Sequence, residues 1–254
     1  MQNLKNFKDF IFETKTEYIK KFCVSPKVVP QVAISFKDLI SYLEELNGKG
    51  GNKVNYSKTL ESIKKGQAVI LGIRSSLSVR KNSPEQYIDR IFFIPKDAVK
   101  NNPEILPYQA TTVPSVAWFD TAVAILDDGE YKFKIGTHSF KSGQTIPALV
   151  PSIDGLAPKE IPVKRYSETD DEITTFDPPT KDTGKGTNFH YGLTPKGVNP
   201  GSIIPCVGGY SAGCQVIPTK EKWEEFWTEI KNSGQQDFWY AIIEEDKMAS
   251  SAIK

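Results

Sequence analysis

QAVILGIRS, residues 67 to 75, is where the chain changes its hydrophobic period. Ala68 to Leu71 and Ile73 run together with no helical stripe, and the β-branched Val69, Ile70 and Ile73 suit a pleated, buried surface. The stretch reads as a buried strand, and DRIFFIP at 89 to 95 repeats the pattern. Upstream the period is helical. Phe7, Phe10, Ile11, Thr14, Tyr18 and Ile19 recur at three- and four-residue steps on one face of an amphipathic helix, with Pro26 just beyond its end. Ser35 caps a second predicted helix over FKDLISYLEELNG, with Leu39, Ile40 and Leu43 inward and Gly48 past its stop. After a flexible GKGGNK loop, a third runs over NYSKTLESIKKG, from Asn55 to Gly66.

Downstream, to about residue 217, short apolar runs such as VAWF, AVAIL and IPALVP alternate with Pro, Gly, Thr and Ser, the pattern of a β-rich domain. Helical spacing returns after Thr219, where Trp223, Phe226, Trp227 and Ile230 form a stripe closed by Gly234, and DFWYAII reads as a closing strand. The expected fold class is therefore α+β: a helical region over residues 1–66 and a β-rich domain over 67–254.

Composition narrows the function. A chain of 254 residues, 39% hydrophobic and 25% charged, is an ordinary globular protein with a real core. Its 32 basic and 31 acidic side chains leave a formal charge of +1, so no field draws in nucleic acid or an anionic membrane, and neither is expected as a partner. The first residues lack a continuous apolar segment and a small-residue cleavage site, so no secretory signal is expected. No window approaches the roughly 20 apolar residues that span a bilayer. Three cysteines are too few for a disulfide framework, and no CxxC or His-rich spacing suggests structural zinc; no metal or cofactor is expected. The acidic run Glu168 to Glu172 lacks EF-hand spacing and reads as a solvated loop.

The chemistry concentrates in GTNFHYGLTPKGVNPGSIIPCVGGYSAGCQVIP, residues 186 to 218, which holds one of two histidines and two of three cysteines. Cys214 follows His190 by 24 residues and sits between Gly213 and Gln215. A thiol becomes a nucleophile when a base or positive surroundings make it thiolate, and only His190 and His138 are available as bases. Gly213 would let the backbone turn sharply and aim amides at an oxyanion. A buried structural thiol in a glycine-rich turn is the competing reading. Cys206 reads as a buried thiol rather than a disulfide partner.

SAGCQVI, preceded by VGGY and by NFHYG, resembles the signature of L,D-transpeptidase (YkuD-type) catalytic domains: His190 and Gly192 match the histidine-glycine element, and Ser211, Gly213 and Cys214 the Ser/Thr-x-Gly-Cys element. The chain is more similar still to phage and bacterial relatives of that family. Their motifs recur here in order as GIRS (72 to 75), ATTVP (110 to 114), GTHS (136 to 139), PALVPS (147 to 152) and KRYSETDDEITTFD (164 to 177). The likeness spans about residues 67 to 245; Ala212, Gln215 and Val216 depart from the usual motif.

This resemblance implies a β-rich L,D-transpeptidase-like catalytic domain over 67–254 and a cysteine enzyme acting on stem-peptide amides of peptidoglycan through a thioester, with transfer or hydrolysis left open. It implies Cys214 as nucleophile, His190 as base, Ser211 as a pocket or turn hydroxyl, and amides of Gly213 and Cys214 as oxyanion donors. His138, Arg74, Gly192 and Tyr210 are the candidate substrate contacts, with pairing to an acid such as Asp89 the other role for Arg74. Without a secretory signal, release by lysis, injection or dedicated export would deliver it, and phage-tail or secretion-apparatus proteins become candidate partners. A non-catalytic structural or binding module of a phage tail or injection apparatus is the alternative from another class.

Overall fold

The computed structural model describes residues 32–47, 54–75, 87–113, 124–140, 143–153, 161–165, 180–184, 187–192, 211 and 213–245. The helix expected over the first 25 residues, the acidic run at 168 to 172, Cys23, Cys206 and Tyr210 lie outside them.

A short strand β1 (Ile34–Ser35) leads into helix α1 (Phe36–Leu46). Ser35 caps it as expected, its Oγ accepting from Asp38 N–H at 3.2 Å. Leu39 and Leu43 are buried and Ile40 packs at the edge of the same cluster. Helix α2 (Ser57–Lys64) begins two residues later than the sequence suggests. Asn55 Oδ1 accepts from Ser57 N–H, and the Glu130 carboxylate accepts from the amides of Lys58 and Thr59, so its orphan donors are met partly from distant sequence. Past its end Gly66 adopts φ +73°, the left-handed conformation that suits a helix stop.

The strands that follow are β2 (Val69–Arg74), β3 (Asp89–Ile94), β4 (Glu104–Ile105), β5 (Pro107–Ala110), β6 (Ala124–Leu126), β7 (Gly129–Ser139), β8 (Thr145–Pro151), β9 (Ile161–Arg165), β10 (Thr180–Gly184), β11 (Phe189–Tyr191), β12 (Gln215–Ile217) and β13 (Asp237–Glu244). A single-turn helix α3 (Ala98–Asn101) precedes β4, and helix α4 (Lys220–Asn232) joins β12 to β13. Thr219 Oγ1 caps α4 by accepting from Lys222 N–H. The protein is thus mixed α/β, with a large, mostly antiparallel sheet and few helices among the described residues.

Eight strands form the main sheet in the order β12-β11-β8-β7-β13-β2-β3-β5, parallel only at β11/β12 and β13/β2. The closing strand β13 therefore lies in the middle, as its continuous apolar run allows. Thr111, one residue past β5, exchanges two backbone hydrogen bonds of 2.9 Å with Val216 of β12, so the sheet curls until its edges meet. Its inner face is one apolar cluster drawn from all eight strands, including Ile70, Phe93, Ala110, Phe133, Leu149, Phe189, Ile217 and Tyr240. Trp223, Phe226 and Ile230 of α4 fill it, with Trp227 at its margin. Helices α1 and α2 cover part of the outer face, packing Leu39, Leu43, Leu60 and Ile63 on Val69, Leu71, Ile73, Ala241 and Ile243. No helix among the described residues is long and apolar enough to cross a membrane.

Gly72, the glycine of GIRS, has a packing reason. A Cβ there would run into the hydroxyl and ring of Tyr240, its Cε2 lying 2.8 Å away. Tyr240 is fully buried in the core cluster. Gly72→Ala should therefore destabilise the protein by about 1–3 kcal/mol, the usual overpacking cost. A lower urea midpoint with unchanged slope would show it; an unchanged midpoint would mean Tyr240 has room to shift.

Candidate active site

Strand alternation builds the site. In β11, Phe189 and Tyr191 join the inner core, which turns His190 to the outer side. In the parallel partner β12, Ile217 is inward, and Gln215 also faces in, its Oε1 accepting from Tyr240 Oη at 3.1 Å. Val216 and the preceding Cys214 are left in a separate small cluster with Tyr87. Asn188, two residues before His190, shares its side of the chain.

His138 arrives from β7, on the far side of β8, as part of the strand. Gly136 and Ala148, paired between those strands, offer little bulk to hold the rings apart. The imidazoles of His138 and His190 stack at 4.3 Å with 15° between their planes, and Phe140 packs edge-on against both. One nitrogen of each ring and Cys214 Sγ all lie within 4.8 Å of one another.

The turn before β12 is tied to itself. Gly213 has φ +124°, a conformation side chains resist, which explains the glycine beside Cys214. Ser211 Oγ donates to the Cys214 carbonyl at 2.8 Å and accepts from Gly213 N–H at 3.2 Å. Ser211 is thus a turn hydroxyl, the second of its two expected roles. The Gly213 amide, expected as an oxyanion donor, is already engaged by that hydroxyl. Gln215 Nε2 bonds the Gly213 carbonyl at 3.3 Å and Gln215 N–H the Asn188 carbonyl, anchoring the turn to β11.

His190 is 0% exposed. Its Nδ1 lies 2.9 Å from the Tyr191 carbonyl, which places the ring proton on Nδ1 and leaves Nε2 as a bare lone pair with no hydrogen-bond partner. Burial, the neighbouring His138 and, in the opposite sense, the Tyr191 hydrogen bond set its pKa at about 3. Cys214 is 6% exposed, and burial pushes its thiol up to about 11 against a backbone hydrogen bond from Asn188 that favours the thiolate. Burial also lowers His138. Desolvation therefore reverses the ionisation that a cysteine–histidine pair favours in solvent and keeps both partners neutral at rest.

This reversal has a measurable sign. Between pH about 3 and 6.5 the unfolded chain protonates His190 while the folded one does not, so stability should fall as pH drops through that window. Between about 9 and 11 unfolded Cys214 ionises while folded Cys214 stays neutral, so stability should fall again as pH rises. A tenfold change in proton affinity between the folded and unfolded chains is worth about 1.4 kcal/mol, so the acid limb amounts to a few kcal/mol. Urea midpoints against pH should flatten on the acid side in His190→Gln and on the alkaline side in Cys214→Ala; unflattened limbs would assign the dependence to other groups.

Of the remaining candidates, Gly192 donates its N–H to the Ile217 carbonyl at 2.9 Å and extends the β11/β12 ladder. Arg74 is held in a polar network of its own. Its side chain is 1% exposed; Nε donates to Thr112 Oγ1 at 3.0 Å, one amino group to the Leu126 carbonyl at 2.8 Å, and the other approaches Glu244 at 3.5 Å. It is a buried structural cation linked to Asp89 through Thr112, not an exposed binder of substrate carboxylates. Sequence reasoning missed Asn188, whose Nδ2 lies 2.9 Å from His138 Nδ1, and Phe140. The two-residue spacing of Asn188, just before β11, and His190 within it was the available signal.

No protein-family model, curated protein or solved structure matches the chain.

Proposed function

We propose that the protein is a cysteine-nucleophile acyl-transfer enzyme acting on stem-peptide amide bonds of peptidoglycan. The observation that carries the chemistry is the seating of His190: Nδ1 is held by the Tyr191 carbonyl, which leaves Nε2 unpartnered, and a ring nitrogen of His190 lies within 4.8 Å of Cys214 Sγ. This is the tautomer a general base needs. The substrate class rests on the likeness of SAGCQV and the ordered upstream motifs to L,D-transpeptidase-type domains.

In this mechanism the Cys214 proton passes to His190 Nε2 as sulfur attacks the amide carbonyl. The imidazolium returns the proton to the departing amine, leaving a thioester on Cys214. A second amine, or water, then takes the acyl group and restores the thiol, His190 acting again as base. Because the resting pair is neutral and buried, proton transfer belongs to the step in which substrate displaces local solvent and the carbonyl oxygen begins to gain charge. His138, stacked on His190, keeps that ring in plane.

The 6% exposure and raised pKa of Cys214 favour a second reading, a non-catalytic module that retains the fold. Mass spectrometry of purified muropeptides after incubation with the protein separates the two. The enzyme reading expects cross-linked, exchanged or trimmed products; unchanged muropeptides together with an inert Cys214 would assign the module.

A further inference from the structure

Cys214, His190 and His138 are far apart in sequence and come from β7, β11 and the turn before β12, so no local spacing could have advertised them as a ligand set. We propose that they form a binding site for a thiophilic divalent metal, Zn2+, held by Cys214 Sγ, His190 Nε2 and a ring nitrogen of His138, with a fourth position open. One thiolate and two imidazoles are a donor set that zinc favours over hard cations such as Mg2+ or Ca2+.

Geometry supports it in three ways. A ring nitrogen of each histidine and Cys214 Sγ already lie within 4.8 Å of one another. Tetrahedral zinc, with bonds of about 2.3 Å to sulfur and 2.0–2.1 Å to nitrogen, needs them about 3.3–3.6 Å apart; the in-plane lone pairs of the stacked rings run nearly parallel, so the half-buried His138 must rotate out of the stack to complete the site. Second, His190 Nε2 is a wholly buried acceptor with no hydrogen-bond partner, an arrangement that costs roughly 1–3 kcal/mol and that a metal bond would relieve. Third, His190 has the supporting contact of a ligating histidine, its Nδ1 resting on the Tyr191 carbonyl, while His138 Nδ1 faces Asn188 Nδ2, so that amide must turn over for His138 to ligate through Nε2. With that amide turned to present its oxygen, His138 carries its proton on Nδ1 and offers Nε2.

On coordination the Cys214 thiol releases its proton to solvent and the metal replaces it. If the acyl-transfer reading holds, on which this consequence rests, zinc occupies the two atoms the reaction uses and keeps the enzyme latent until the metal is removed.

The test uses the full chain, stripped with EDTA and titrated with Co2+. We expect one Co2+ per chain with a sulfur-to-cobalt charge-transfer band, its displacement by Zn2+, and protection of Cys214 from alkylation when Zn2+ alone is added. Cys214→Ser should remove the band. His138→Ala should weaken binding by more than the roughly 10–100-fold typical of losing an outer contact. A Cys23→Ala/Cys206→Ala double variant should bind as the parent does. Absence of the band in folded protein, its persistence in Cys214→Ser, or unchanged affinity in folded His138→Ala would overturn the site. Muropeptide assays on the stripped protein keep the two claims apart: cobalt binding without processing would sink the acyl-transfer reading alone, and processing without cobalt binding would sink the metal site alone.

Discussion

Cys214→Ala should abolish muropeptide processing and leave the fold in place. Loss of an essential nucleophile removes on the order of 10^4-fold or more of a rate, because the base and binding groups then have nothing to activate. The structural cost is small. Cys214 touches Tyr87 and Val216 in a minor cluster outside the main core, so removing one sulfur should cost only about 1 kcal/mol. Cys206→Ala should keep its activity. Product formation followed by mass spectrometry, beside urea midpoints for both variants, checks this; processing by Cys214→Ala at the parental rate would end the nucleophile assignment.

Asp89→Ala should produce the largest loss of stability, about 3–5 kcal/mol, the range for breaking a buried charged network at one partner. Asp89 is 0% exposed and accepts hydrogen bonds from Ser75 N–H at 2.8 Å, Thr112 N–H at 2.6 Å and Thr112 Oγ1 at 2.7 Å. Thr112 Oγ1 in turn accepts from Arg74 Nε. Alanine would orphan two amides and a hydroxyl and strip a nearby carboxylate from a buried guanidinium. Asp89→Asn, which keeps an acceptor oxygen but loses the charge, should fall between the parent and Asp89→Ala. Urea unfolding of the three proteins measures the series, and equal midpoints would show that the network contributes nothing net.

That network also explains part of what the sequence could and could not reveal. GIRS and ATTVP were legible as short motifs, and the charge of Arg74 left two roles open, a substrate contact or pairing with an acid such as Asp89. In the fold, Arg74 and Ser75 of the first motif and Thr112 of the second meet at Asp89, so these residues brace β2, β3 and the segment after β5. Charge alone does not distinguish a binding arginine from a buried one; only the long-range pairing of strands does.

Local signals carried well. The Ser35 and Thr219 caps, the buried stripe of α4 and the apolar runs of β2, β3 and β13 depend on neighbours within a few residues, and they appear as read. The central place of β13 and the Thr111–Val216 bridge depend on contacts more than 100 residues apart. The same divide runs through the site. Cys214, His190 and the need for glycine at 213 were legible from one stretch, whereas the stacking of His138 on His190 required β7 and β11 to flank β8. Burial reversed the expected ionisation of the pair because the residues that enclose it come from distant strands.

The central claim, that Cys214 carries an acyl group, is tested most directly by intact-protein mass spectrometry after mixing with muropeptides and quenching in acid, which preserves thioesters. The account predicts an adduct of stem-peptide acyl mass, mapped to Cys214, released by hydroxylamine and absent from Cys214→Ala and His190→Ala. A protein that processes muropeptides with no adduct on Cys214, or with the adduct on another residue, would contradict it.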